Sequence, residues 1–188
     1  MVAQSNAGLP QVVGDHFEYD ATPGDMASHA ARLAELGIDL VLIETMSDLT
    51  EVEAAVRAAQ DVVPDLPVVA TLSFDTNLRT MMGVRPGDAV RALVALGVDA
   101  VGANCGRGPE EMEAIAAQLV EARPEGLLLV AQTNAGLPQV VGDHFEYDKS
   151  PADLAEHAKV LHKLGIDLTG ACCGSTPDHI AAMREAIR

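Results

Sequence analysis

The chain of 188 residues carries 28 acidic and 12 basic side chains, a formal net charge of −16, which argues against nucleic acid or an anionic membrane surface as a partner. Apolar residues make up 48% and aromatics only 3%, the composition of buried aliphatic strands covered by alanine-rich helices in a single domain spanning 1–188. No stretch approaches the roughly 20 apolar residues of a membrane span, the opening lacks a signal-peptide pattern, and three cysteines do not make a disulfide framework, so a reducing, cytoplasmic setting is expected.

Residues 3–20, "AQSNAGLPQVVGDHFEYD", recur at 131–148 with only Ser5 changed to Thr133. The likeness continues through "HAARLAELGIDL" and "HAKVLHKLGIDL", then stops after Leu40 and Leu168. A block of about 38 residues (3–40) is therefore duplicated at 131–168, an offset of 128. An opening strand is predicted at "VAQSN", followed by strands at 39–44, 67–75, 99–105, 126–134 and 167–173, each a short apolar run.

Helix signals fall between them. "GPEEMEAIAAQLVEA" sets Met112, Ile115, Leu119 and Val120 on one stripe behind Pro109, with Glu110 and Glu111 at the favourable dipole end. "KSPADLAEHAKVL" offers Ser150 as cap, Pro151 at the first position and Asp153 at the third; "STPDHIAAMREAI" repeats the scheme with Thr176, Pro177 and Asp178. "LG[IV]D" at 36–39, 96–99 and 164–167 ends a helix on glycine and leads into a strand. Such alternation predicts βαβ units on a parallel sheet, and 128 residues is four units of ordinary size.

Polar and reactive residues gather at the strand ends: Glu44, Asp75, Asn104 with Cys105, Asn134, and Cys172 with Cys173. In a barrel of parallel strands those ends form one face, where active sites are built. Three thiolates would leave one position of a zinc tetrahedron open for substrate, and Gly174 would ease the turn that aims both adjacent sulfurs at one metal. The competing reading is three small buried hydrophobes. His16 and His144 read as loop histidines, His179 as structural, and Met81 and Met82 as packing residues.

The segments "ETMSDLTEVEAAVRAA", "GANCGRGPEEM", "QTNAGLP" and "GACCGSTPDHI" resemble successive βα loops of the zinc-dependent homocysteine S-methyltransferases, the family of the homocysteine-binding barrel of methionine synthase and of betaine–homocysteine methyltransferase. The resemblance implies that Cys105, Cys172 and Cys173 bind zinc. It further implies that homocysteine, held as a thiolate, receives a methyl group from a donor to give methionine. Glu44 would hold the substrate's amino group, and Asn104 and Asn134 would line the same site. Against the family the units read seven, four, five, six, seven, eight. The expected fold is thus a TIM-barrel-like (β/α) domain, incomplete or rearranged, with about six units instead of eight. Open sheet edges favour association between copies, and a non-catalytic zinc-binding fragment completed by a partner chain is the alternative function.

Overall fold

The computed structural model describes residues 2–5, 10–13, 16–19, 31–32, 35, 37–75, 77–142 and 144–188. Strand β1 (Val2–Ser5) is followed by a hairpin of β2 (Pro10–Val13) and β3 (His16–Tyr19). Then β4 (Leu40–Met46), α1 (Leu49–Val62), β5 (Val68–Leu72), α2 (Pro86–Ala95), β6 (Ala100–Cys105), α3 (Pro109–Glu121) and β7 (Leu128–Thr133) alternate. A second hairpin, β8 (Gln139–Val141) and β9 (His144–Glu146), precedes α4 (Pro151–Leu164), β10 (Leu168–Ala171) and α5 (Pro177–Ala186).

The strands outside the hairpins form one parallel sheet in the order β1-β4-β5-β6-β7-β10. Among the described residues β1 and β10 remain its edges, so six strands make an open barrel segment. The repeat is legible in the backbone: Val13 pairs with His16 in the first hairpin, as Val141 pairs with His144 in the second. The first copy's helical stretch lies largely outside the described residues.

Two apolar layers follow from strand alternation. Val68, Ala70, Leu72, Val101, Ala103, Leu129 and Ala131 point outward and merge with the buried faces of α1, α2 and α3 in the main core. Val69, Ala100 and Val130 point inward, joined by the partly buried Leu40 and Leu42. Every residue of β5 is buried, hence a sequence apolar apart from Thr71.

The LG[IV]D motif has two structural parts. Its glycines adopt left-handed backbone, with φ of +72°, +76° and +105° at Gly37, Gly97 and Gly165. Asp99 and Asp167 then accept from amides at the start of the neighbouring strands, Val68 N and Leu129 N, each at 2.8 Å. The motif therefore ends a helix and pins the strand beside the one it starts.

Helix starts follow the predicted chemistry, with one shift. Ser150 and Asp153 form a reciprocal capping box on α4. On α5 the third position is His179, not Asp178. The His179 Nδ1 accepts from Thr176 N at 3.1 Å, which leaves Nε2–H to donate to the Lys149 carbonyl at 3.0 Å. That histidine is a buried structural cap.

Candidate metal and substrate site

The C-terminal ends of β4, β6, β7 and β10 meet at one point. Thr133, the last residue of β7, pairs in register with Cys105 of β6 on one side and Ala171 of β10 on the other. Cys105 and Cys172 thus flank β7 at nearly the same height. Their sulfurs lie 3.0 Å apart although 67 residues separate them in sequence. The Cys173 sulfur is 3.8 Å from that of Cys172, and all three lie within 4.8 Å of one another.

The backbone is shaped to this end. Cys105 has φ +62°, a conformation costly for a residue with a Cβ, which turns its sulfur over the end of β7. Thr45, directly after Glu44, has the same φ. At the other side Gly174 (φ +79°) turns the chain after the cysteine pair, and a Cβ there would collide with the Tyr147 ring. That ring stands beside the turn after the cysteine pair.

Two asparagines tie the loops together. Asn134 Nδ2 donates to the Gly106 carbonyl at 2.8 Å, and its Oδ1 accepts from Cys173 N at 2.9 Å. It bridges the loop after Cys105 to the paired cysteines. Asn104, 1% exposed, accepts on Oδ1 from Thr71 Oγ1 (2.7 Å) and Thr45 N (2.8 Å), and donates from Nδ2 to Thr45 Oγ1 (2.6 Å) and the Cys105 sulfur (3.4 Å). Its amide is fully engaged by the protein.

The thiols share charge unequally. The Cys105 S–H donating to Cys172, aided by the Cys173 amide and other donors, brings the Cys172 thiol down to about 5. The same contact, then burial, pushes the Cys105 thiol up; burial, then the neighbouring thiolate, raises Cys173. The cluster thus favours the thiolate at Cys172 over the other two. Glu44, 8% exposed, has its carboxyl raised by burial first and by Cys172 second, opposed by a hydrogen bond from Gln132.

Three thiolates are a soft donor set. Around a metal with sulfur at about 2.3 Å, the edges of a tetrahedron are roughly 3.8 Å, the spacing of Cys172 and Cys173. A small movement of Cys105 from its thiol contact would complete three vertices, and these sulfurs fit a zinc-type ion with one position left over.

Sequence reasoning did not foresee a buried polar chain beneath the site. His157 on α4 is 3% exposed; its Nε2 bonds Thr133 Oγ1 and its Nδ1 bonds Glu113 Oε1, both at 2.9 Å. Burial lowers its pKa, with Glu113 opposing. The neutral ring therefore donates from Nδ1 to the carboxylate and accepts from the threonine. Asp75 and the Met81–Met82 loop follow β5; both methionines are exposed. His144 pairs with Glu146 on an exposed hairpin at 3.0 Å, and the His16 side chain lies outside the described residues.

Comparison with known proteins supplies the family and the fold. A family profile described as homocysteine S-methyltransferase covers residues 28–187. Methionine synthases from Mycobacterium leprae and Mycobacterium tuberculosis are each 34% identical over 177 residues. The alignments cover 92% of this chain but only 14% and 15% of those proteins. The crystal structure of apo homocysteine methyltransferase MmuM from Escherichia coli superposes with TM-score 0.71 at 22% identity, over 98% of this chain and 61% of that one. Its metallated form gives 0.70 at 23% identity, over 89% and 53%. The fold is that of a homocysteine methyltransferase barrel, present in part. A profile match over most of the chain, together with relatives a third identical, shows that the chain belongs to the homocysteine S-methyltransferase family.

Proposed function

We propose that this domain binds homocysteine and accepts a methyl group onto its sulfur, with Cys105, Cys172 and Cys173 as the ligands of a zinc ion. The observation that carries the reading is the convergence of three sulfurs within 4.8 Å beside a buried carboxylate at one end of the sheet. When bound, zinc supplies a Lewis acid that keeps a thiol ionised at neutral pH.

The chain's own residues divide the remaining work. Glu44 presents a desolvated carboxylate suited to the substrate ammonium. Asn134 fixes the Cys173 loop against the Cys105 loop, and Asn104 holds Thr45 and Cys105 in their strained conformations. The homocysteine thiolate then forms its S–CH₃ bond as the methyl leaves the donor with its bonding electrons remaining on the donor's leaving atom.

A second reading has its own support. The inner face of the sheet opens into a cleft of about 410 Å³ lined by Leu40, Leu42, Val69, Val130, Leu168 and neighbours, and Leu128 and Leu168 are 43% and 46% exposed. Apolar surface of this kind suits further barrel strands. In that case the isolated chain binds metal and homocysteine but turns over only when a partner completes it. No helix among the described residues is long and apolar enough to cross a membrane.

Zinc analysis after dialysis tests the common core of both readings. About one zinc per chain is expected, falling to near zero in Cys105→Ser, with homocysteine binding lost in parallel. Full zinc retention in Cys105→Ser would remove the three-sulfur site. Methyl-transfer assays then separate turnover from binding alone.

A further inference from the structure

Gln132 stands one residue before Thr133 on β7, in register with Asn104 of β6 and Gly170 of β10. Alternation along the strand sends Leu129 and Ala131 outward into the helical core, and Val130 and Gln132 inward to the cleft. Its side-chain amide lies beside the Glu44 carboxylate and favours the charged form of that acceptor, as an Nε2–H turned toward it does. Its Oε1 is buried and has no hydrogen-bond partner.

An orphaned buried carbonyl is rare, because it loses water and gains nothing in return. Room for this side chain is built in. A Cβ on Gly170 would stand 3.2 Å from Gln132 Cγ, tighter than ordinary packing, so glycine on β10 lets the amide lie across the cleft. The result is two neighbouring acceptors, one charged and one neutral, below the three sulfurs. A carboxylate alone suits any cation. A carboxylate with a fixed carbonyl beside it suits a group with several N–H donors diverging from one centre, which is a primary ammonium.

We propose that Gln132 is a substrate-binding residue whose Oε1 accepts a second N–H from the substrate ammonium held by Glu44, and that it thereby selects amino thiols over thiols lacking the amino group. The inference rests on the reading of Glu44 as the ammonium site. It adds the residue that makes that site directional. A site built to hydrogen-bond a polar group penalises ligands that leave its own groups unpaired.

The test uses calorimetric binding to the zinc-loaded chain, comparing L-homocysteine with 4-mercaptobutanoate, which is the same thiol without the amino group. In Gln132→Met, which keeps volume and removes the acceptor, homocysteine affinity should fall about 10- to 100-fold, the usual loss for a hydrogen bond to a charged group. Affinity for 4-mercaptobutanoate should stay unchanged. Zinc content reports whether the site is intact. Should Gln132→Met fail to fold, Gln132→Asn, which retracts the amide by one methylene, should show the same selective loss. Equal weakening of both ligands, or no change in either, would overturn the role of Gln132 while leaving Glu44 in place. Wild-type protein that binds zinc but not homocysteine would overturn the ammonium site and Gln132 together.

Discussion

Replacing Asn104 by alanine removes one side chain and breaks four hydrogen bonds, and the cost can be worked out group by group. Thr71 is 0% exposed, so its hydroxyl, deprived of Asn104 Oδ1, is left buried without that partner at about 1–3 kcal/mol. Thr45 is exposed, so its amide and hydroxyl can turn to water, and each lost bond there costs only about 0.5–1.5 kcal/mol net. The three bonds to the threonines sum to about 2–6 kcal/mol. With a urea slope of about 2 kcal/mol/M, the unfolding midpoint should drop by about 1–3 M. Asn104→Asp keeps the acceptor for Thr71 and Thr45 N while losing the donors, and should fall by less than half as much. Zinc content should fall in Asn104→Ala as well, because Thr45 and Cys105 would relax from φ +62° once their common anchor is gone. A midpoint shift under about 0.3 M in Asn104→Ala would mean the network contributes no net stability, and the argument from unsatisfied groups would fail.

Two further outcomes follow from the same geometry. Gly174→Ala places a Cβ at φ +79° and into the Tyr147 ring; it should destabilise by about 1–3 kcal/mol and weaken zinc retention, whereas a loss under about 0.5 kcal/mol would show that the ring moves freely. His157 is held neutral by burial, its folded pKa below the ordinary 6.5. The unfolded chain therefore takes up a proton that the folded chain refuses, so this group's stability is present above about pH 6.5 and is lost as pH falls below it, by at most about 1.4 kcal/mol per pH unit. Urea unfolding at pH 7.5, 6 and 5 should show a smaller acid loss in His157→Met than in wild type, and identical slopes would refute the assignment.

The legible part of the sequence was what local chemistry encodes. β5 and β6 read as strands because they are mostly apolar on both faces, and α4 started where Ser150, Pro151 and Asp153 said it would. Cys105, Cys172 and Cys173 were recognisable by residue type, and the structure brings their sulfurs together. What stayed hidden depends on register. Nothing near Gln132 says that it will face Glu44, and nothing near His157 names Thr133 or Glu113, which lie 24 and 44 residues away. The repeat did hold a clue: its single change in the 18-residue block, Ser5 to Thr133, keeps a hydroxyl, and His29 stands to Ser5 as His157 stands to Thr133. The short β8–β9 hairpin was missed because Val140 and Val141 are exposed, 74% and 41%, and three-residue strands give no readable alternation.

The arrangement of strands separates the two tasks of the site. The sulfurs come from β6 and from the residues just beyond β10, and β7 lies between those strands and pairs with both. Their mutual geometry therefore depends on two adjacent registers and on Asn134, which joins the two loops. Glu44 reaches the same point from β4, two strands beyond β6, only because the sheet curves. Neighbouring strands are about 4.8 Å apart, so a flat sheet would leave Glu44 far from Gln132. On the proposed reading, metal binding would be a property of a compact three-strand block, whereas recognition of the amino group would be a property of the curvature. Curvature is also what the open β1 and β10 edges constrain least.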